Sequence, residues 1–117
     1  MRVAVYRFDM AQSETTEAFA DGTPLVRLFG DGARARMISV FVDERTRDLS
    51  VSEIARQAGI ARSTVYDHLE SLETLGVITQ TRTTGPSDRY QLVDDEMGEY
   101  LYKLDGVTLR RSIESKQ

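Results

Sequence analysis

Residues 50–78 read SVSEIARQAGIARSTVYDHLESLETLGVI, and this stretch decides the fold. Ser50 stands three positions before Glu53, the spacing at which a hydroxyl and a carboxylate cap each other's backbone N–H groups at a helix start. Ile54, Ala55 and Ala58 supply the buried face of that helix, and Gly59 suits the left-handed backbone of a tight turn. A longer helix is predicted from about Arg62 to Leu75, with Val65, Leu69 and Leu72 on one stripe and Gly76 as its stop. At about 100° per residue, Ser63, Tyr66, Asp67, Glu70 and Thr74 face away from the stripe, and Arg62 projects from the exposed N-terminal end. A short capped helix, a glycine turn and an amphipathic helix with a polar outer face form the arrangement in which one helix braces another.

Downstream, the segments 77–82 and 89–93 are rich in β-branched, aromatic and apolar residues and flank Thr84-Gly85-Pro86-Ser87, which predicts a hairpin with a flexible tip. Asp94, Asp95 and Glu96 place negative charge on the first turn of a last helix, where the helix dipole favours it. Met97, Tyr100, Leu101 and Leu104 are its apolar stripe, and Gly106 is expected to break it before Val107–Ile113. Upstream, Leu49 falls in a short extended piece. Thr23-Pro24 reads as the N-cap and first-turn proline of a helix carrying Leu25, Val26, Leu28 and Phe29, with Gly30 as its stop. Asp31 is expected to cap the next helix, whose Met37, Ile38, Phe41 and Val42 recur at three- and four-residue steps. Residues 1–20 are expected to form a flexible N-terminal segment. Its apolar cluster Val3, Val5, Tyr6 and Phe8 has two readings: an extension ahead of a start at Met10, or a strand added to a neighbour's sheet.

The 117 residues, 40% of them apolar, fit one domain with one core. No apolar run approaches the roughly 20 residues that span a bilayer, and the N-terminus lacks the order of a secretion signal, so a soluble cytoplasmic protein is expected. With no cysteine and His68 as the one histidine, disulfides, thiolate metal sites and multi-histidine sites are excluded. No nucleophile has a histidine partner in a recognisable arrangement, and Gly30-Asp31-Gly32 lacks the preceding strand and lysine of a phosphate loop. No catalytic residue, metal or cofactor is therefore expected, and His68 reads as a helix-packing residue. Fifteen basic against nineteen acidic residues give a net charge of −4, the wrong sign for a broad basic field. Thirteen of the basic residues are arginines, with only Lys103 and Lys116 as lysines. Arginine over lysine with excess carboxylate resembles the proteins of salt-loving archaea; a GC-rich genome gives the same bias.

Followed by TQTRTTGPSDRYQLV (residues 79–93), the opening stretch becomes a helix-turn-helix with a wing. It resembles the winged helix-turn-helix regulators of the MarR-like and ArsR-like groups of archaea and bacteria over about residues 31–93. Ser52, Ile54, Ala55, Ala58, Gly59, Ile60, Ser63, Thr64, Val65, Leu69, Leu72, Leu75 and Gly76 fall where that pattern expects them. Ala61 departs from it where a serine cap is common, and Asp67 where a basic or polar reader is frequent. The resemblance implies a mainly α fold with a small antiparallel β hairpin (α+β), namely a winged helix-turn-helix with an extra C-terminal helix. Residues 21–93 would form that domain, and 94–117 a dimerisation helix and tail.

The implied function is a homodimeric, sequence-specific regulator that binds double-stranded promoter or operator DNA. Helix 62–75 would lie in the major groove: Arg62 on guanine or a phosphate, Ser63 and Thr64 on phosphates, Tyr66 on a phosphate or thymine methyl, Asp67 on cytosine N4. Taken as an isolated helix this is an ordinary solvated face; the helix-turn-helix and wing give it a partner. Arg82, Thr83 and Arg89 flank the hairpin tip, where a wing meets the minor groove or backbone, and Asp88 would brace the tip while Arg89 touches DNA. Leu25, Leu28, Phe29, Met97, Tyr100, Leu101 and Leu104 would join two copies. A winged-helix adaptor of transcription or replication machinery is the alternative, favoured by Asp67, Glu70 and Glu73. A small-molecule effector at the dimer interface is compatible with the first reading, with no residue pattern of its own.

Overall fold

The computed structural model describes residues 18–84 and 87–115, with the backbone alone at 83 and 84; both readings of the residues before Ala18 lie outside it. In chain order it contains α1 (Pro24–Phe29), α2 (Ala33–Asp43), β1 (Leu49–Ser50), α3 (Val51–Ala58), α4 (Arg62–Thr74), β2 (Ile78–Thr84), β3 (Ser87–Leu92) and α5 (Glu96–Glu114). The architecture is mainly helical with a small antiparallel sheet, a winged helix-turn-helix.

The expected hairpin is part of a larger sheet. β1 pairs with β3 through Leu49 opposite Tyr90 and Ser50 opposite Arg89, giving three strands in the order β1-β3-β2. Met37, Phe41, Ile54, Val65, Leu72, Leu49 and Ile78 are all closed to solvent, so α2, α3, α4 and the sheet share one core. Burying an aliphatic or aromatic side chain contributes roughly 1.5–3 kcal/mol each. This apolar layer fixes α4 against α2 and α3.

Thr23 is the N-cap residue of α1 with Pro24 in its first turn, as expected, although its hydroxyl donates to the Ala20 carbonyl at 2.9 Å and not to the helix. Two local expectations are corrected. Asp31 does not cap α2, which starts at Gly32 without a side-chain cap. Asp31 instead pairs with Arg36, a buried guanidinium that also pairs with Asp21 and donates from Nε to the Ala58 carbonyl at 2.5 Å. Burial works against that charge, and the two carboxylates outweigh it. Gly106 does not break α5, which runs unbroken for 19 residues. A mid-helix glycine costs only about 1 kcal/mol, and α5 has compensations. Its start is capped by the Asp95 carboxylate, which accepts from the Met97 N–H at 3.0 Å. Arg45 pairs with Glu99 at 3.1 Å and stacks 4.1 Å from the Tyr102 ring centre, tying α5 to the chain just after α2. Gly98 permits the close start of this helix, since a Cβ there would lie 2.1 Å from the Val93 carbonyl oxygen.

Candidate nucleic-acid interface

The helix-turn-helix forms as its sequence dictates. Ser50 Oγ accepts from the Glu53 N–H at 3.2 Å and Glu53 Oε1 accepts from the Ser50 N–H at 2.9 Å, closing the capping box. At the far end of α3, the N–H groups of Gly59 and Ile60 both reach the Ala55 carbonyl. Gly59 adopts φ +73°, and a Cβ there would sit 2.6 Å from that of Ala18. The turn therefore needs glycine for conformation and for space.

α4 then runs from Arg62 to Thr74 with Val65, Leu69 and Leu72 buried. Arg62, Ser63, Tyr66, Asp67 and Glu70 are exposed and Thr64 is half-buried, so the outer face lies where the periodicity places it. Ala61 supplies no side-chain cap, leaving the first N–H groups of α4 without a side-chain acceptor. His68 is half-buried, with Nδ1 3.3 Å from Arg34 Nη2, and faces α2 rather than the outer face. Among the described residues no group of three or more His, Asp or Glu side chains could hold a metal.

The wing is organised by a residue the sequence did not single out. The β2–β3 register shifts between Gln80 and Arg82, which sets Arg82 directly opposite Arg89. Like charges facing across two strands repel. Asp48, just before β1, resolves the conflict by lying against both. Its Oδ2 accepts from Thr81 Oγ1 at 2.7 Å and Arg82 Nε at 2.8 Å. Its Oδ1 accepts from Arg89 Nε at 3.0 Å and Arg82 Nη2 at 3.3 Å. Arg89 Nη2 reaches onward to Glu53 Oε1 at 3.0 Å, joining wing and capping box. Hydrogen bonds from Arg82, then Thr81 and Arg89, hold the Asp48 carboxyl well below the usual carboxylate range. The Glu53 carboxyl is lowered chiefly by the Ser50 N–H, with help from the Arg89 and Arg47 charges.

The site residues thus fall into distinct settings. Arg62, Tyr66 and Asp67 share the open face of α4. Arg82 keeps 62% of its side chain exposed, whereas Arg89 keeps 19%. Thr83 pairs with Asp88 near the end of the wing. Of the residues assigned to an interface between copies, Leu28, Phe29, Met97 and Tyr100 are exposed, and Leu101 and Leu104 are half-buried against the core. Leu25 is 1% exposed and fills the chain's own interior, so it offers no surface to a second copy in this conformation.

Residues 40–82, from the second half of α2 into β2, match the family model of the IclR helix-turn-helix domain. Among solved structures the chain is similar to NadR in complex with 4-hydroxyphenylacetate, with a TM-score of 0.60 at 20% identity over 79% of this chain and 64% of that one. It is also similar to a substituted variant of ZitR from Lactococcus lactis, with a TM-score of 0.57 at 14% identity over 71% of this chain and 57% of that one. The multiple antibiotic-resistance repressor MarR from Listeria monocytogenes gives a TM-score of 0.52 at 16% identity over 83% of this chain and 65% of that one. The chain spans less than two thirds of the length of each of these structures. No curated protein matches it. The fold class is thus a winged helix-turn-helix, within which residues 40–82 are similar to the IclR helix-turn-helix domain.

Proposed function

We propose that the chain is a sequence-specific DNA-binding transcription regulator acting as a homodimer, with α4 in the major groove and the wing on the minor groove or backbone. The observation that carries this reading is the joint presentation, on one fixed scaffold, of an exposed polar α4 face beginning at Arg62 and a wing bearing Arg82. The match to the IclR helix-turn-helix domain supports it, as does the fold shared with the repressor MarR. Residues 31–93 would be the DNA-binding unit, and residues 23–30 and 94–113 would supply the dimer contacts through Leu28, Phe29, Met97 and Tyr100, which are exposed in the single chain. Two copies of α4 about one DNA turn apart would read a pseudo-palindromic site.

The test is selection of duplexes from a randomised pool, followed by fluorescence anisotropy on the winner. Arg62→Ala should cost about 1–3 kcal/mol of affinity and relax base preference at one position in each half-site. Sedimentation of Phe29→Asp/Tyr100→Asp should show a monomer where the wild type is a dimer. A second reading, a protein-binding adaptor, is favoured by the exposed carboxylates of Asp67, Glu70 and Glu73 on α4. A wild-type protein that enriches no duplex selects that reading. If the acidic, arginine-rich composition reflects a halophilic and archaeal host, binding should persist as KCl approaches molar levels.

A further inference from the structure

The two wing arginines do not hold equivalent places, and Asp48 is what separates them. Both oxygens of its carboxylate are filled by four donors from Thr81, Arg82 and Arg89. Arg89 is enclosed by this arrangement: Nε is on Asp48 Oδ1, and Nη2 is on the Asp48 carbonyl at 3.2 Å and on Glu53. Its Nε and Nη2 are divided among three protein acceptors, and 19% of its side chain stays exposed. Arg82 gives the same two nitrogens to the Asp48 carboxylate alone, and 62% of its side chain stays exposed. A carboxylate saturated in this way is a fixed anchor, because a phosphate that displaced it from Arg82 would leave its lone pairs unmatched beside Glu53.

We propose that Asp48 is the positioning residue of the wing, holding Arg82 as the guanidinium that meets the DNA backbone and locking Arg89 into the protein. This rests on the DNA-binding reading above. It assigns the wing contact to Arg82 instead of Arg89, and it makes the acidic residue before β1 part of the interface machinery without touching DNA. The net −4 charge then has a local meaning: Arg89 is already neutralised by Asp48 and Glu53, so each copy gains counterion release from its wing through Arg82 and not through Arg89.

The experiment measures binding of the full chain to a selected duplex across a KCl series, with amide hydrogen exchange over residues 78–92 in the free protein. Arg82→Gln should weaken binding about tenfold and reduce the salt slope by about one per copy, while leaving exchange unchanged. Arg89→Gln should speed wing exchange and leave the salt slope unchanged. Asp48→Asn should speed wing exchange and weaken binding several-fold, although removing a negative charge near DNA would by itself tighten it; the sign separates positioning from bulk electrostatics. In an Arg82→Gln background, Asp48→Asn should cost no further affinity. Tighter binding by Asp48→Asn, or a salt slope lowered equally by Arg89→Gln and Arg82→Gln, overturns the proposal. A wild-type protein that binds no duplex overturns the DNA-binding reading and Arg82's role together, and unchanged wing exchange in Asp48→Asn overturns the anchor by itself.

Discussion

The α3–α4 turn and the wing stand side by side yet are held by different forces. The turn rests on buried Ile54, Ala58, Val65 and Leu72, on backbone hydrogen bonds to the Ala55 carbonyl, and on the left-handed Gly59. The base of the wing shares that core through Ile78, Tyr90 and Leu92 and pairs with β1, but farther out it is held by partly exposed charged side chains, Asp48 against Arg82 and Arg89, and Arg89 against Glu53. Apolar burial responds weakly to pH and to dilute salt, whereas partly exposed ion pairs respond to both. The helix proposed to read bases is therefore the insensitive part. The arm proposed to touch the backbone is the part that solution conditions can loosen.

The sharpest way to break this contrast is through the core. Leu72→Ala should destabilise the whole fold by about 2–5 kcal/mol, seen as a single lowered unfolding midpoint that includes the wing; a wing that stayed protected would show that it folds independently. Gly59→Ala should cost about 1–3 kcal/mol, from the positive φ and the crowding by Ala18, and should leave wing exchange unaltered at equal overall stability. Ser50→Ala should cost about 1 kcal/mol in thermal or urea unfolding, through loss of the α3 cap.

Acid should separate the two regions further. Because the folded Asp48 carboxyl lies below its unfolded value, its contribution is complete above about pH 4, the ordinary carboxylate range, and is lost as pH falls below that. Wing amides should lose protection there before α4 amides do, and Asp48→Asn should abolish that difference. The smallest effect belongs to α5. Burial raises the Asp105 carboxyl, aided by the charge of Asp43, whose own carboxyl burial also raises. Groups raised in the fold favour it as they protonate, so acidification toward the carboxylate range should protect α5 amides, and Asp43→Asn should remove the part of that gain that comes from its charge.

The parts that were legible in the sequence are those written in local spacing. Ser50 and Glu53 form their box, Gly59 takes its turn, and Val65, Leu69 and Leu72 face inward, because caps, turns and helical stripes depend on neighbours within a few residues. What stayed hidden is non-local or very short. β1 has two residues and no period, so its pairing with Tyr90 and Arg89 leaves no trace in composition. Asp48 meets Arg82 and Arg89 from 34 and 41 positions away, and that meeting depends on the pairing. Asp31 does not cap α2 because a buried Arg36 claims it, and Gly106 does not break α5 because tertiary contacts outweigh a glycine's helix cost. Among the site residues, the exposed face of α4 was readable from the helical wheel, while the difference between Arg82 and Arg89 was not.

The Arg36 guanidinium has a practical consequence for dissecting the protein. It gathers Asp21, Asp31 and the last carbonyl of α3 into one knot, and the Ala20 N–H donates to the Gln57 carbonyl at 2.9 Å beside it. A fragment trimmed to residues 50–78 would keep every residue that spells the helix-turn-helix and lose the clamp that closes its turn. A piece that keeps this clamp begins no later than Ala20, some thirty residues before the motif it serves.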